Sequence, residues 1–202
     1  MKKNKADLII DIGKSNIKFV YFDKQNGEIL KKNIFINNFL KKKINLIELD
    51  YKKILNLIYT NINFNKKIFE LKSILPITHG SIFFLLNKNK KVLSCISDES
   101  DLGKNFNLKF EKYVRNIKNS FTPHLEYCHN LSKSLFYIKK QKKNIFNQIR
   151  YLLLYPNFIS FKLSNKYSTD LPYLSNHSFL WDFKKKKLNG FAKYLKIDKK
   201  LP

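Results

Sequence analysis

The stretch Asp11-Ile-Gly-Lys-Ser-Asn-Ile-Lys18 decides how this chain is read. It joins two short apolar runs, residues 8–11 and 17–23, and the second run ends in Asp-Lys-Gln-Asn-Gly, a turn signal. Between the runs, Gly13 permits close backbone approach, and Lys14, Ser15 and Asn16 are small or polar donors. A hairpin turn of this kind aims several N–H groups and a hydroxyl at one spot, which suits phosphate oxygens. Asp11, at the end of the first strand, suits a metal ion or its waters beside that phosphate. The same residues also suit an ordinary hairpin with a polar tip.

Outward from the hairpin, a third strand is expected over 28–36, set off by the turn at Asn26-Gly27, so the chain opens as an antiparallel meander. Ile44, Ile47, Ile54, Leu57, Ile58 and Ile62 fall close to helical spacing and predict a helix over 44–63. Strands over 70–77 and 81–86 flank Thr78-His79-Gly80, and another over 91–96 ends at Ser97-Asp98-Glu99. The second half is expected to be mainly helical, over 108–117, 130–140, 144–151, 157–164 (opened by Pro156) and 188–195. A three-strand meander, then a helix, then further strands is the order of a ribonuclease-H-like, actin-like α/β domain. Such a domain is a mixed sheet flanked by helices, whose first hairpin approaches the phosphates of a nucleotide. Fold analogy alone does not give function.

Length allows one domain, or one and a small appendage, and 44% hydrophobic residues suffice for a sizeable core. A formal charge of +25 invites a nucleic-acid or anionic-membrane reading. Its make-up argues against one. Arg115 and Arg150 are the only arginines among 40 basic residues, whereas base and phosphate recognition favours the planar arginine fork. Lysine here accompanies abundant Asn, Ile, Phe and Tyr, all drawn from A- and T-rich codons, and reads as a solvated surface. Cys95 and Cys128 are far apart with no zinc-ligand spacing, which points to a reduced, cytoplasmic protein. The basic start Met-Lys-Lys-Asn-Lys mimics a signal peptide, but the apolar run after it is short and broken by Asp11. No segment has the apolar length to span a membrane.

Four polar groups stand at strand or loop ends: the 11–18 hairpin, Thr78-His79-Gly80, Asp98-Glu99, and Asp170 after the loop 165–169. Asp170 follows Ser168 and Thr169 at a helix start, the position of an ordinary N-cap. Beside a cleft, the same carboxylate can accept the proton of a substrate hydroxyl as that hydroxyl attacks a phosphoryl group. His79 suits a structural histidine at a strand crossing as well as a ligand contact, and Asp98 and Glu99 suit solvated turn residues as well as a binding pair. His124, His129 and His177 show no metal-ligand spacing, and the aromatic residues, spread along the chain, read as core.

Taken together, these groups resemble the N-terminal domain of the FGGY carbohydrate kinases, the sugar and polyol kinases of the actin-like superfamily. Asp11-Ile-Gly-Lys-Ser-Asn-Ile-Lys18 is similar to the family's opening Asp-x-Gly-[Thr/Ser]-[Thr/Ser]-x-x-Lys motif, with Lys14 where a hydroxyl residue is commoner. Thr78-His79-Gly80-Ser81 is similar to its His-Gly turn near the sugar, and Ser97-Asp98-Glu99 to its acidic substrate contacts. The segment from Leu152 through Tyr155-Pro156 to Asp170 resembles its helix, loop and catalytic aspartate, and Leu174 to Phe183 the helix and tail that follow. The resemblance covers essentially the whole chain.

It implies that Gly13, Lys14, Ser15, Asn16 and Lys18 lie by the transferred phosphoryl group of ATP, with Asp11 by the Mg2+ ion. It implies that His79, Gly80, Asp98 and Glu99 line the pocket of a sugar or polyol, and that Asp170 is the general base. Family members carry a second actin-like domain holding most of the ATP site. The expectation is therefore an N-terminal domain over 1–202 without that C-terminal half and inactive alone. It is a truncated product, half of a split kinase whose C-terminal domain is separately encoded, or a fragment of a longer reading frame. Self-association through the uncovered interdomain face is also open. A non-catalytic sugar-binding module is the first alternative, and a lysine-rich nucleic-acid-binding protein the second.

Overall fold

The computed structural model describes residues 3–43 and 46–202. The chain divides into two compact units, one of residues 1–39 with 50–79 and the other of 40–49 with 80–202.

Period-two burial builds the first unit. In β1 (Asn4–Ile12), Ala6, Leu8, Ile10 and Ile12 are buried while Asp7, Ile9 and Asp11 are only half-buried. In β2 (Asn16–Asp23), Ile17, Phe19 and Tyr21 are buried in the same alternation. These strands pair antiparallel with Asp11 opposite Lys18, and β3 (Glu28–Ile36) pairs antiparallel with β2. The turn between β2 and β3 needs a glycine: Gly27 has φ +72° and donates its N–H to the Asp23 carbonyl at 2.9 Å.

After β3 come two strands of the second unit, β4 (Leu40–Lys43) and β5 (Leu46–Leu49), paired antiparallel. The chain then returns to the first unit in α1 (Tyr51–Asn65) and β6 (Phe69–Thr78). β6 lies parallel to β1, giving the order β3-β2-β1-β6. α1 buries Ile54, Leu55 and Ile58, each worth roughly 1.5–3 kcal/mol when fully buried. Tyr21 ties the sheet to this helix: its hydroxyl donates to Asn61 Oδ1 at 2.7 Å, and its ring stacks on Phe69 at 5.0 Å.

The helix predicted over 44–63 therefore starts late. Ile44 lies outside the described residues, and Ile47 belongs to β5. There the Ile47 N–H donates to Ser100 Oγ and its carbonyl accepts from the Ser97 N–H, so neither group is left for a helical turn. The start is set by Asp50, whose carboxylate accepts from the Lys53 N–H.

The second unit is built on β7 (Phe83–Leu86), buried at all four positions, flanked antiparallel by β8 (Val92–Ser94) and β9 (Tyr151–Leu154). Its helices are α2 (Lys104–Val114), α3 (Leu131–Gln141), α4 (Lys143–Gln148), α5 (Tyr155–Ser164), α6 (Leu171–Asn176) and α7 (Gly190–Tyr194). The short strands β10 (Trp181–Asp182) and β11 (Lys187–Leu188) pair before α7. Phe110, Leu135, Phe136, Leu152, Leu154 and Leu180 anchor one apolar core.

Two further expectations shift. The helix predicted over 144–151 stops at Gln148, because Tyr151 opens β9 opposite Leu86. The helix predicted over 188–195 loses Leu188 to β11 and begins at Gly190, where the Asn189 side chain accepts from the N–H groups of Phe191 and Ala192.

Candidate functional site

The site residues fall in both units, and each unit carries a distinct chemistry. In the first, the β1–β2 turn is held from both sides. The Gly13 N–H donates to the Asn16 carbonyl at 2.9 Å, the Asn37 N–H donates to the Ser15 carbonyl at 2.8 Å, and Asn37 Nδ2 donates to the Gly13 carbonyl at 2.6 Å. Asn37 thus fixes the tip, a role its position just after β3 did not suggest. A Cβ on Gly13 would stand 3.1 Å from the Asn16 carbonyl oxygen, so the glycine keeps the turn tight.

Lys14 and Ser15 are exposed at this tip. One pair below it, Lys18 Nζ meets Asp11 Oδ2 at 3.0 Å, with both side chains more than a third exposed. At the same end of the sheet, the His79 N–H donates to the Ile12 carbonyl at 2.8 Å, and Thr78 Oγ1 is buried with no protein partner among the described residues. Asp11, Gly13, Lys14, Ser15, Asn16, Lys18 and His79 are therefore gathered at one sheet end.

This end fits a phosphate. It presents exposed Lys14 and Ser15, a close-packed glycine, and a lysine–aspartate pair that an anion or a cation can share. Magnesium usually takes one or two carboxylates plus substrate phosphates, which a single Asp11 can satisfy. Among the described residues no group of three or more His, Cys, Asp or Glu side chains could hold a metal by itself.

In the second unit, Gly80 has φ +47°, and a Cβ there would fall 2.6 Å from Asp98 Oδ2. Asp98 is 1% exposed, a buried carboxylate that must be partnered. Its Oδ2 lies 3.3 Å from His129 Nδ1, and its Oδ1 accepts from Ser97 Oγ at 3.3 Å. Sequence spacing gave no sign of His129, because the contact joins α3's approach to the loop after β8. Glu99 goes elsewhere. It is exposed and lines a cavity of about 650 Å³ with Lys42, Lys43, Asp101, Tyr137 and Gln141, and Asp98 is not in that lining.

Asp170 follows from α5. Pro156 sits in the first turn of α5, and Asn165, at φ +57°, ends it. The loop to Asp170 is pinned by Asn157, whose Nδ2 donates to Ser168 Oγ at 2.9 Å and whose Oδ1 accepts from the Asp170 N–H at 3.3 Å. Asp170 caps α6, its Oδ1 accepting from the Tyr173 N–H at 2.8 Å. The carboxylate is exposed, and its Oδ2 has no protein hydrogen bond among the described residues. Capping thus leaves one oxygen for a proton.

Tyr173 then closes the circuit, because its hydroxyl donates to the Gly80 carbonyl. Hydrogen bonds thus run from Asp170 through Tyr173 to Gly80, and the Asp98–His129 pair packs beside Gly80. Tyr155 belongs to the same neighbourhood. Its phenol is pushed well above its ordinary pKa by burial first, and then by Cys95, Tyr173 and Asp98. The thiols take no part in such chemistry: burial pushes Cys95 and Cys128 each up to about 12.

A mixed sheet opening on an antiparallel meander, with a phosphate-suited hairpin between its first two strands, defines a ribonuclease-H-like, actin-like domain. The chain belongs to the FGGY family of carbohydrate kinases, whose N-terminal domain matches residues 7–196. Its fold is shared with a carbohydrate kinase from Novosphingobium aromaticivorans, at a TM-score of 0.89 and 17% identity over 100% of this chain and 42% of that one. A ligand-bound xylulose kinase from Lactobacillus acidophilus gives 0.83 and 20% identity over 98% of this chain and 41% of its own. A glycerol kinase from Plasmodium falciparum, solved with ADP, gives 0.70 and 16% identity over 98% and 42%. The chain thus spans about two fifths of the length of these solved proteins. No curated protein sequence matches it. No helix among the described residues is long and apolar enough to cross a membrane.

Proposed function

We propose that this chain is the sugar- or polyol-binding, base-supplying lobe of an ATP-dependent carbohydrate kinase of the cytoplasm. The observation that supports this best is the hydrogen-bonded link from Asp170, a carboxylate with one open oxygen, through Tyr173 to the Gly80 carbonyl, beside which the buried Asp98 packs. In the second unit, Asp98 and Gly80 present polar contacts for substrate hydroxyls. Asp170 Oδ2 takes the proton of the hydroxyl that is phosphorylated, and Oδ1 stays on the Tyr173 N–H, so the base keeps its orientation.

The hairpin of the first unit serves the other reactant. Lys14, Ser15, Gly13 and Asn16 hold phosphoryl oxygens at the tip, Lys18 supplies positive charge, and Asp11 holds Mg2+ through its waters. ATP with magnesium supplies the phosphoryl group and neutralises its charge. Phosphoryl transfer is chiefly positioning and charge stabilisation. Turnover therefore requires the nucleotide-holding half that the resemblance places in a second domain, whether contiguous or separately encoded.

The test is a thermal-shift and calorimetric screen of the chain against pentoses, hexoses, deoxy-sugars and polyols. A sugar at 100 times its dissociation constant adds about 2.7 kcal/mol of stability. The shift is expected for one sugar class and is lost in Asp98→Asn. A chain that no sugar stabilises, alone or with its nucleotide half, sinks the proposal. The N-cap role of Asp170 favours one second reading, a sugar-binding module without catalysis, in which Asp170→Asn leaves every function intact.

A further inference from the structure

The two faces of the β3-β2-β1-β6 sheet are unequally covered. One packs on α1, where the Tyr21 hydroxyl meets Asn61 and Lys31 Nζ lies over the Phe64 ring. On the other face, the strand register lines side chains up in rows that run across all four strands. The row nearest the phosphate hairpin is Ile34, Lys18, Asp11 and Ile77. The next is Lys32, Val20, Ile9 and Leu75, and Ile29 and Phe22 extend the apolar surface beyond it. Ile29, Ile34, Leu75 and Ile77 are each between 47% and 62% exposed, so no element among the described residues covers this face. A contiguous apolar sheet face is what a sheet ordinarily buries against a second layer.

The first row reads the same in either direction: apolar, charged, charged, apolar, with the two signs exchanged. A twofold axis along the strands, between β1 and β2, lays Lys18 over the partner's Asp11 and Ile34 over the partner's Ile77. In the second row it lays Val20 over the partner's Ile9, and the alkyl stem of Lys32 over the partner's Leu75. We propose that this face pairs with itself, so that two copies of the chain stack sheet to sheet about such an axis. Stacked sheets lie about 10 Å apart with their strands about 30° askew. One row away from the centre, that skew shifts side chains by roughly 3 Å, less than the spacing of two strands.

Strands of eight to ten residues, about 3.4 Å each, set about 4.8 Å apart, give a face of roughly 19 by 30 Å. Both copies together bury roughly 1,100 Å², the low end for a specific interface, which suits a dissociation constant on the order of 10 μM. Against the stack stands the net charge of +25 on each copy. Repulsion spread over the surface is screened within about 8 Å at physiological salt, whereas ion pairs inside the stack are screened less. The dimer therefore strengthens as salt rises, the reverse of an association driven by exposed ion pairs. The contact uses no sugar, ATP or magnesium, so it stands or falls apart from the kinase function.

The experiment is sedimentation equilibrium of the whole chain from about 1 to about 200 μM, at about 0.05 and about 0.3 M sodium chloride. A dimer is expected, tighter at the higher salt. Leu75→Glu, at an exposed position that the fold does not need, is expected to weaken it at least about tenfold. Register is read with a bismaleimide linker of about 10 Å, the spacing of stacked sheets. Ile34→Cys mixed with Ile77→Cys should cross-link at least about tenfold faster than either variant alone, and both native cysteines are buried. A dimer that Leu75→Glu leaves intact, or a mixture that cross-links no faster than its components, overturns the proposal. So does a chain that stays monomeric throughout, which would leave the face to another occupant such as the nucleotide-holding half.

Discussion

The carboxylate of Asp98 occupies the space that a Cβ on residue 80 would need: the built position lies 2.6 Å from Oδ2 and 3.1 Å from Cγ. Gly80 is therefore required twice, once by its φ of +47° and once by a buried acid that cannot withdraw into solvent. Gly80→Ala is expected to destabilise the chain by roughly 1–3 kcal/mol, read from denaturant unfolding. The double variant Gly80→Ala with Asp98→Ala should recover part of that loss. An unaltered unfolding midpoint in the single variant would show that the carboxylate moves aside freely.

Asp170 separates its two duties by substitution. Asparagine caps a helix about as well as aspartate, so Asp170→Asn keeps α6, whereas Asp170→Ala loses roughly 0.5–2 kcal/mol. Both remove the proposed base, and on that reading turnover of the assembled kinase should fall on the order of 100- to 10,000-fold in each. Equal stability of the alanine variant would argue that the loop held by Asn157, not the cap, fixes this turn.

Lys18 and Asp11 form an exposed pair, so neither Lys18→Met nor Asp11→Asn should change stability by more than about 1 kcal/mol. Their proposed role in phosphate binding predicts effects of opposite sign in the absence of magnesium. Lys18→Met weakens and Asp11→Asn strengthens binding of a phosphate analogue such as tungstate, measured calorimetrically at low salt. If both variants bind the anion as the parent does, the hairpin is an ordinary polar turn.

Tyr21 links stability to alkaline pH. Burial pushes its phenol up from an ordinary value of 10 to about 12, so the folded state holds the proton more tightly than the unfolded chain. That contribution is complete below about pH 10 and is lost as pH rises toward 12. Tyr21→Phe removes the bond to Asn61 and should cost about 0.5–1.5 kcal/mol at neutral pH. It should also flatten the fall in stability between pH 10 and 12.

Local chemistry made the first half of the fold legible. Apolar alternation, the glycine turn at Gly27 and the polar tip at 13–16 belong to neighbours in sequence, and the meander follows from them. β5 was missed because the spacing of Ile44 and Ile47 also satisfies a helix; the deciding signal, Asp50 as a cap, was present and unread. β9 hid in Leu152-Leu153-Leu154, a run buried throughout that carries no periodicity. In the site, motif residues could be named in advance, but their partners could not. Asn37, His129 and Tyr173 matter through contacts 24, 31 and 93 residues away in sequence, distances that only the folded chain closes. The divergence of Asp98, buried, from Glu99, facing a cavity, likewise depends on the backbone path after β8.

The chain passes from one unit to the other three times, after residues 39, 49 and 79. Neither unit is a continuous stretch of gene. A product ending at His79 would carry β5 without Ile96, Ser97 and Ser100, which satisfy its backbone. A product beginning at Gly80 would expose those same groups. Any break between residues 40 and 79 therefore divides the second unit between two products, each left with only part of that unit's partners.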